Sequence, residues 1–207
     1  MERFIAKATL SARHMIVKMI APSIYRRAFT QPMVPNCVRP AILFVKGIMG
    51  DRPLTGAEVG VGPGLNAESI LKALNIKMLY LIDHYKPYID QDRLCFNPVA
   101  REEAIKRLSF FRDRIRFFHL DSEAATRSIR GSLDFVYIDG NHTYEYAKRD
   151  IETYYRKVKK PGIIGGHDFS NHALGVIRAV TEFSSKESLQ LMVEETVGGI
   201  DWWMLRQ

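Results

Sequence analysis

The chain has 207 residues, 46% of them hydrophobic, which suffices for one substantial core and favours a single domain. No uncharged apolar run reaches the roughly 18 residues that a membrane-spanning helix needs. The net charge of +7 raises the question of polyanion binding, but the basic residues are scattered, which favours solvated helix faces over a nucleic-acid track.

Residues 1–50 precede the regular pattern of the chain, and several prolines divide them into short pieces. Their first thirty positions mix apolar with basic residues, and Lys7, Arg13 and Lys18 interrupt the apolar run that a secretory signal requires. Three interpretations stay open: an amphipathic helix packed on the domain or on a partner subunit, a membrane-surface helix, and a transit segment. We expect residues 1–50 to form a helical cap or extension over the mouth of the ligand site. If this region packs on a second copy of the chain, a homo-oligomer would form through it.

Cys37 and Cys95 lie in unrelated contexts without a C-x-x-C spacing. This argues against a zinc knuckle, a redox motif and a disulfide framework. We therefore expect a reducing compartment, the cytoplasm.

From about residue 55, short apolar or β-branched runs alternate with helical patterns, as in a parallel sheet covered on both faces. The predicted strands cover residues 57–61, 78–82, 115–120, 133–138, 162–166, 189–194 and 202–205. The predicted helices cover residues 66–74, 98–108, 123–129, 144–158 and 173–184. The last two strands are joined without a helix through residues 196–199, whose glycines suit a hairpin. The pattern predicts an α/β fold over residues 51–207: a Rossmann-like, doubly wound, mostly parallel seven-stranded sheet ending in an antiparallel hairpin, with helices on both faces.

A glycine-rich stretch, Glu58-Val59-Gly60-Val61-Gly62-Pro63-Gly64, closes the first predicted strand and opens a helix. Glycines let the backbone turn sharply and approach a ligand without a Cβ in the way. Asn66 stands where dinucleotide-binding folds carry a further glycine, so the pyrophosphate fingerprint is incomplete. This argues against the hypothesis of an NAD(P)-dependent oxidoreductase, which remains the alternative reaction class.

Two further strand ends carry acidic residues. Asp83 follows the second strand, where a carboxylate can accept both ribose hydroxyls of a nucleoside or serve as a turn or cap residue. Asp121 and Ser122 follow the third strand, placed to contact an adenine edge, to cap the next helix, or both.

In chain order, the glycine loop, Asp83, Asp121 and Asp139 resemble the class I S-adenosylmethionine-dependent methyltransferases, over about residues 55–207. The resemblance implies S-adenosylmethionine as cofactor. It implies that Glu58 orients the loop or the methionine amino group, that Asp83 holds the ribose, and that Asp121 with Ser122 faces the adenine. The methionine part would be lined by Gly60, Gly62 and Gly64.

The fourth and fifth strands end at Asp139-Gly140-Asn141-His142 and at His167-Asp168. Ligands of open parallel sheets lie beyond the carboxyl ends of the strands, so these two ends should face one cleft. Two carboxylates suit Mg²⁺, and an imidazole in the set also admits Mn²⁺, Fe²⁺ or Zn²⁺. The alternative is a set of local turns and caps without a metal.

These two segments resemble the metal-dependent small-molecule O-methyltransferases that act on sugars of macrolide antibiotics. The resemblance implies Asp139 and Asp168 as metal ligands and His142 as the base, with Asp139 also part of the catalytic set. His167 stands where those enzymes usually carry a carboxylate, and we include it among the expected ligands.

We therefore predict a divalent-metal-assisted O-methyltransferase that acts on a small hydroxylated molecule such as a sugar or a phenol. A nucleic-acid methyltransferase or binding protein is an alternative that the net charge motivates. DNA amino-methyltransferases, however, usually show Asn or Asp followed by Pro-Pro and an aromatic residue where this chain has Asp139-Gly140-Asn141-His142. A catalytically silent relative that binds the cofactor is a further alternative.

Overall fold

The computed structural model describes residues 38–196 and 198–207, and the N-terminal segment expected as a cap lies outside them up to Cys37. The α-helices are α1 Pro40–Met49, α2 Leu65–Ala73, α3 Ala100–Leu108, α4 Ser122–Ser128, α5 Tyr144–Tyr155 and α6 Leu174–Lys186; a 3₁₀ helix spans Ser109–Arg114. The strands are β1 Leu54–Val59, β2 Ile76–Ile82, β3 Tyr88–Asp90, β4 Arg93–Cys95, β5 Ile115–Phe118, β6 Leu133–Ile138, β7 Val158–Gly166, β8 Met192–Thr196 and β9 Gly199–Arg206.

Seven strands form one sheet in the order β5-β2-β1-β6-β7-β9-β8, and β3 pairs with β4 in a separate hairpin. Strands β5, β2, β1, β6 and β7 are parallel, whereas β9 is antiparallel to β7 and to β8. The predicted fold class is therefore confirmed. The chain runs outward from β1 through β2 to β5 and then returns to β6 on the other side of β1. This reversal is the topological switch point at which open α/β sheets bind ligands.

The central strand β6 is buried along its whole length, which explains its nearly continuous apolar sequence. One hydrophobic core lies on each face of the sheet. Trp202 and Trp203, neighbours on β9, enter opposite cores because successive side chains of a strand point to opposite faces. Burial of both indoles fixes the antiparallel end of the sheet to the helices on both faces.

Helix α1 falls within the segment predicted as an N-terminal region, yet it packs into the same core as the sheet. Ala41, Ile42 and Val45 are buried, and the Phe44 ring lies 5.6 Å from that of Trp203. The domain core therefore includes the chain from Pro40 onward. Within the described residues, no helix combines the length and apolarity needed to cross a bilayer.

Several elements differ from the predictions at their boundaries; β1 spans Leu54–Val59 rather than 57–61, and β9 spans Gly199–Arg206 rather than 202–205. The predicted helix 144–158 ends at Tyr155, and β7 begins at Val158 rather than at residue 162, because Val158 already pairs with Leu133 of β6. The β3–β4 hairpin was not predicted, since Ile89 and Leu94 are exposed and the segment shows no alternation of buried and exposed apolar residues.

Candidate active site

A cavity of about 1070 Å³ opens at the carboxyl ends of the parallel strands, beside the switch point between β1 and β6. Its walls include many of the residues that the sequence singled out. They are Glu58, Gly60, Gly62, Asp83, Asp121, Ser122 and Asp139.

Each of the three loop glycines has a different structural role. A Cβ on Gly60, whose φ is +84°, would lie 2.0 Å from the Asp139 carbonyl oxygen, so only glycine lets the loop pass the end of β6. Gly62 has a φ of +51° and no described atom within 4 Å of a Cβ, consistent with its place on the cavity wall. Gly64 instead caps α2 and packs against Ala104 and Leu108 of α3, away from the cavity lining.

Asp83 orders the loop while it lines the cavity. Its Oδ2 accepts a hydrogen bond from the Gly62 N–H at 2.9 Å, and its Oδ1 accepts one from the Tyr85 N–H at 2.8 Å. The Tyr85 hydroxyl in turn donates to the Gly62 carbonyl at 3.1 Å. The Gly62 residue is thus held at both its N–H and its C=O. Each Asp83 oxygen keeps a lone pair for a ligand donor.

Glu58 is 1% exposed, and the two oxygens of its carboxyl group differ. Oε1 accepts a hydrogen bond from Asn66 Nδ2 at 2.9 Å, so the residue in the position of the missing glycine holds Glu58. Oε2 has no hydrogen-bond partner within the described part of the chain. Burial raises the pKa of Glu58 to about 8. A buried acceptor without a donor is costly, so this oxygen marks a place for a donor or cationic group of a ligand.

Asp121 and Ser122 lie where β5 leads into α4. Asp121 is the exposed N-cap residue of α4, and its side chain makes no capping hydrogen bond to the described helix. The Ser122 hydroxyl donates to the buried Asp150 of α5 and is thereby committed to packing α4 on α5. Asp121 is therefore the more available of the two for a ligand.

Three potential metal ligands converge at the ends of β6 and β7. One potential ligand atom from each of Asp139, His142 and Asp168 lies within 4.8 Å of the other two. Asp168 has a φ of +57°, an unfavourable conformation for a residue with a Cβ. Such strain persists only where surrounding contacts hold it, and it concentrates at functional sites.

Asp90 of β3 holds His142 in this group. The His142 Nδ1 lies 2.6 Å from Asp90 Oδ2, and the His142 backbone N–H donates to Asp90 Oδ1 at 3.1 Å. Asp90 was not predicted from the sequence, because it lies 52 residues from His142 in a segment without a regular pattern, and only the folded hairpin brings it there.

The other ring nitrogen of His142 faces Asp168. Nε2 lies 2.9 Å from Asp168 Oδ2, yet the angle does not meet hydrogen-bond geometry, so this buried nitrogen has no directed partner in the described part. The nearby Asp168 carboxylate raises the pKa of His142 to about 9. Burial alone would raise the pKa of Asp168, but His142 and His167 outweigh it and hold that pKa well below its usual value. The donors, two carboxylates and one imidazole nitrogen, fit a divalent cation.

His167 lies beside this group rather than in it. Its Nδ1 is 3.2 Å from Asp168 Oδ2 and 3.7 Å from Asp139 Oδ1, whereas its Nε2 is 2.7 Å from Arg39 Nη1. Burial lowers the pKa of His167, and the two carboxylates outweigh it and raise the pKa to about 10. Nε2 also lies 3.0 Å from the Gly198 carbonyl oxygen, so this nitrogen is next to one group that can only donate and one that can only accept.

Comparisons with known proteins agree with this architecture. The family described as "Methyltransferase domain" matches residues 57–169, from β1 to the end of β7. No curated protein matches the sequence.

Several solved structures share the fold. An rRNA methylase from Streptococcus thermophilus is 11% identical, with a TM-score of 0.62 over 84% of this chain and 99% of that one. The O-methyltransferase NovP is 16% identical, with a TM-score of 0.57 over 81% and 78%. A Streptococcus mutans protein solved in complex with SAH is 11% identical, with a TM-score of 0.61 over 84% and 100%. At these identities the likeness establishes the fold.

The family match covers more than half of the 207 residues and includes the glycine loop, Asp83 and the Asp139 to Asp168 region. The chain therefore belongs to the methyltransferase-domain family.

Proposed function

We propose that the protein is an S-adenosylmethionine-dependent methyltransferase. The observation that carries this proposal is the shared cavity: the Gly60–Gly62 turn, Asp83 and the unpaired Glu58 oxygen line the same space as Asp139. S-Adenosylmethionine carries an ammonium group, a ribose and an adenine in one molecule. In this proposal Glu58 binds the ammonium, Asp83 binds the ribose hydroxyls, and Asp121, which lines the same cavity, contacts the adenine.

The structures with which the chain shares its fold support this cofactor, since one of them was solved with SAH, the demethylated product. Binding of NAD instead would require room for a pyrophosphate beside the loop. Asn66 stands where the dinucleotide fingerprint has its third glycine, and its side chain is bonded to Glu58.

We further propose that the reaction is metal-assisted O-methylation of a small hydroxylated acceptor, with Asp139 and Asp168 holding the cation. When bound, a divalent cation supplies Lewis-acid stabilisation of the acceptor oxygen and offsets the carboxylate charge that raises the pKa of His142. The fit of NovP, an O-methyltransferase, to the same fold is consistent with this reaction type.

His142 is the base in this proposal. Asp90 accepts the Nδ1 proton and so fixes the ring, which leaves Nε2 as the lone pair that can accept the acceptor's hydroxyl proton. One lone pair cannot both bind a cation and accept a proton at the same time. We therefore assign the cation to the two carboxylates and the proton to His142 Nε2.

The cofactor proposal is tested by isothermal titration of the purified protein with S-adenosylhomocysteine and with NAD. We expect micromolar affinity for the first and no binding of the second. The Asp83→Ala variant should bind S-adenosylhomocysteine about 10- to 100-fold more weakly, because a bidentate hydrogen-bond acceptor and the anchor of Gly62 are both lost. Asp113→Ala, an exposed carboxylate on the 3₁₀ helix, is the matched control. Binding of NAD alone would overturn the proposal.

The metal and base assignments are tested by Mn²⁺ binding, followed by electron paramagnetic resonance. We expect the wild type to bind Mn²⁺, Asp168→Ala to lose most of this affinity, and His142→Ala to keep it within about threefold. A loss in His142→Ala as large as that in Asp168→Ala would make His142 a ligand rather than the base. Absence of binding to the wild type would reject metal assistance without touching the cofactor proposal. A screen of sugars and phenols for S-adenosylhomocysteine production then identifies the acceptor.

A further inference from the structure

We infer that Arg39 binds the carboxylate of the methionine part of the cofactor, so that Arg39 and Glu58 together form a receptor for an α-amino-acid zwitterion. The inference rests on the proposed function, since S-adenosylmethionine and its demethylated product both carry an α-amino-acid group. It adds a binding residue that precedes residues 57–169, the region that matches the family.

Arg39 and Glu58 ionise with opposite sign and belong to the wall of the same cavity. Within residues 38–196 and 198–207, Arg39 has its ion-pair contact with Asp201, at 4.0 Å, and none with Glu58. The two groups therefore do not neutralise each other. A ligand that carries a positive and a negative group on one carbon atom can use both.

The Arg39 guanidinium is anchored through one nitrogen and keeps the other two for a ligand. Nη1 donates to the Gly198 carbonyl at 2.8 Å and lies 2.7 Å from His167 Nε2. Nη2 and Nε make no hydrogen bond to a described residue. These two nitrogens form an edge on which a guanidinium donates two parallel hydrogen bonds to a carboxylate. The side chain is only 21% exposed, so a ligand meets an arginine that the fold already holds in place.

The wall beside Glu58 contains two more buried atoms that lack partners. Asn66 Oδ1 and Ser69 Oγ, like Glu58 Oε2, have no hydrogen-bond partner in the described part of the chain. All three residues line the cavity, and Asn66 and Ser69 lie three residues apart on one face of α2. An α-ammonium group has three donors for the Glu58 and Asn66 oxygens, and the adjacent carboxylate accepts from Arg39 and from the Ser69 hydroxyl. An α-amino-acid group thus supplies partners of the right kind for this set.

Two other cationic residues of the wall are paired elsewhere. Lys72 and Arg107 both bind Glu68, at 2.6 and 3.3 Å. Burial is the main influence on the pKa of Glu58 and raises it, whereas the positive charge of Arg39 lies close enough to lower it. Arg39 is therefore the cation that shares the neighbourhood of Glu58.

The test compares two ligands that differ only in this carboxylate: S-adenosylhomocysteine and its decarboxylated analogue. In isothermal titration we expect the wild type to bind S-adenosylhomocysteine about 10- to 100-fold more tightly than the analogue, because the analogue cannot form the charge-assisted pair with Arg39.

Arg39→Met should bind the two ligands with affinities within about threefold of each other, because it weakens S-adenosylhomocysteine alone. Arg39→Lys should keep part of the preference, since an ammonium retains the charge but not the two parallel donors. Arg52→Met is the matched control and should keep all of it. Arg52 pairs with Asp134, near the start of β6, and is absent from the cavity lining.

Equal affinity of the wild type for the two ligands would overturn the inference, and this comparison requires no variant to fold. An unchanged affinity of Arg39→Met for S-adenosylhomocysteine would overturn it as well. Equal losses for both ligands in Arg39→Met would do the same, because Arg39 would then act on the fold rather than on the carboxylate. If the wild type binds neither ligand, the proposed cofactor is rejected and the inference with it, whereas tight binding that ignores the carboxylate rejects the role of Arg39 alone.

Discussion

Glu58 places a buried carboxyl group in the wall of the cavity. One of its oxygens is held by Asn66, and the other has no hydrogen-bond partner among the described residues. Burial disfavours the charged form, which is why its pKa is raised to about 8. An ammonium group placed against it would favour the ionised form, so ligand binding should release a proton below that pH.

This leads to a prediction for the pH dependence of binding. The affinity for S-adenosylhomocysteine should rise by up to tenfold per unit between pH 6 and pH 8 and then level off, because the proton must leave Glu58 only where the free protein carries it. Glu58→Gln should bind more weakly at pH 8 and lose most of this slope. Titration calorimetry in two buffers of different ionisation enthalpy counts the released protons, and a wild-type affinity that is flat over this range would contradict the assignment.

At the residue level, the sequence identified the groups that follow strand ends but not their partners. Asp83, Asp139 and Asp168 could be found because each follows an apolar run that predicts a strand. Asp90 and Arg39 could not be found, since neither belongs to a motif and their contacts span 52 and 128 residues of the chain. His142 and His167 were both predicted as site residues. Only the folded structure shows that His142 belongs to the group with Asp139 and Asp168, whereas His167 lies beside that group.

Among the elements, the turn from β1 into α2 depends on two glycines for opposite reasons. Gly60 is needed because the end of β6 occupies the space of a side chain, whereas Gly62 is needed for its left-handed φ beside open space. Gly60 is therefore required for packing of the loop on the sheet, whereas Gly62 is a residue of the cavity wall.

Substitution of Gly60 should mainly lower stability, whereas substitution of Gly62 should mainly weaken ligand binding. We expect Gly60→Ala to lower the free energy of unfolding by roughly 3 kcal/mol or more, because strain and a backbone clash add. Gly62→Ala should cost only about 1 kcal/mol, the strain of the left-handed region, while it weakens S-adenosylhomocysteine binding. Urea unfolding followed by the fluorescence of the two buried tryptophans measures the stabilities.

Gly131→Ala is the matched control, because Gly131 also has a positive φ of +77° and open space at its Cβ, but is absent from the cavity lining. It should share the stability cost of Gly62→Ala without the loss of affinity. Equal stabilities of Gly60→Ala and Gly131→Ala would show that the loop does not rest on the end of β6.

Across the whole molecule, the net charge is unevenly distributed, although the basic residues are scattered. Six of the thirty basic residues but only one acidic residue precede residue 38, so five of the seven net charges belong to the N-terminal segment. Residues 38–207 are close to neutral. A steep salt dependence of oligonucleotide binding, if measured, would therefore be a property of that segment rather than of the methyltransferase domain.

The folded domain also buries several acidic groups, which predicts an unusual stability profile. Glu194 of β8 lies opposite Asp201 of β9, and burial raises their pKa values to about 7 and about 6. Both values exceed those of the unfolded chain, about 4, so the folded state binds the protons more tightly. The stabilisation is therefore complete below about pH 4 and is lost as the pH rises through 6 and 7.

We accordingly expect the urea midpoint to fall between pH 5 and pH 8. Glu194→Gln should flatten the upper part of this decline, since the amide cannot ionise. Glu145→Gln, in the exposed first turn of α5, should not change it. A midpoint that rises from pH 5 to pH 8 would show that the two carboxylates are ionised in the fold without cost.

The alternation of apolar runs and the terminal hairpin were sufficient to predict the α/β class, the succession of strands and helices along the chain and the antiparallel end of the sheet. These features are local, because periodicity and backbone freedom act over a few residues. The contact of His142 with Asp90, that of His167 with Arg39 and the unpaired Glu58 oxygen depend on distances between residues far apart in the chain. Such distances are set by packing of the two cores, so they became visible only in the folded molecule.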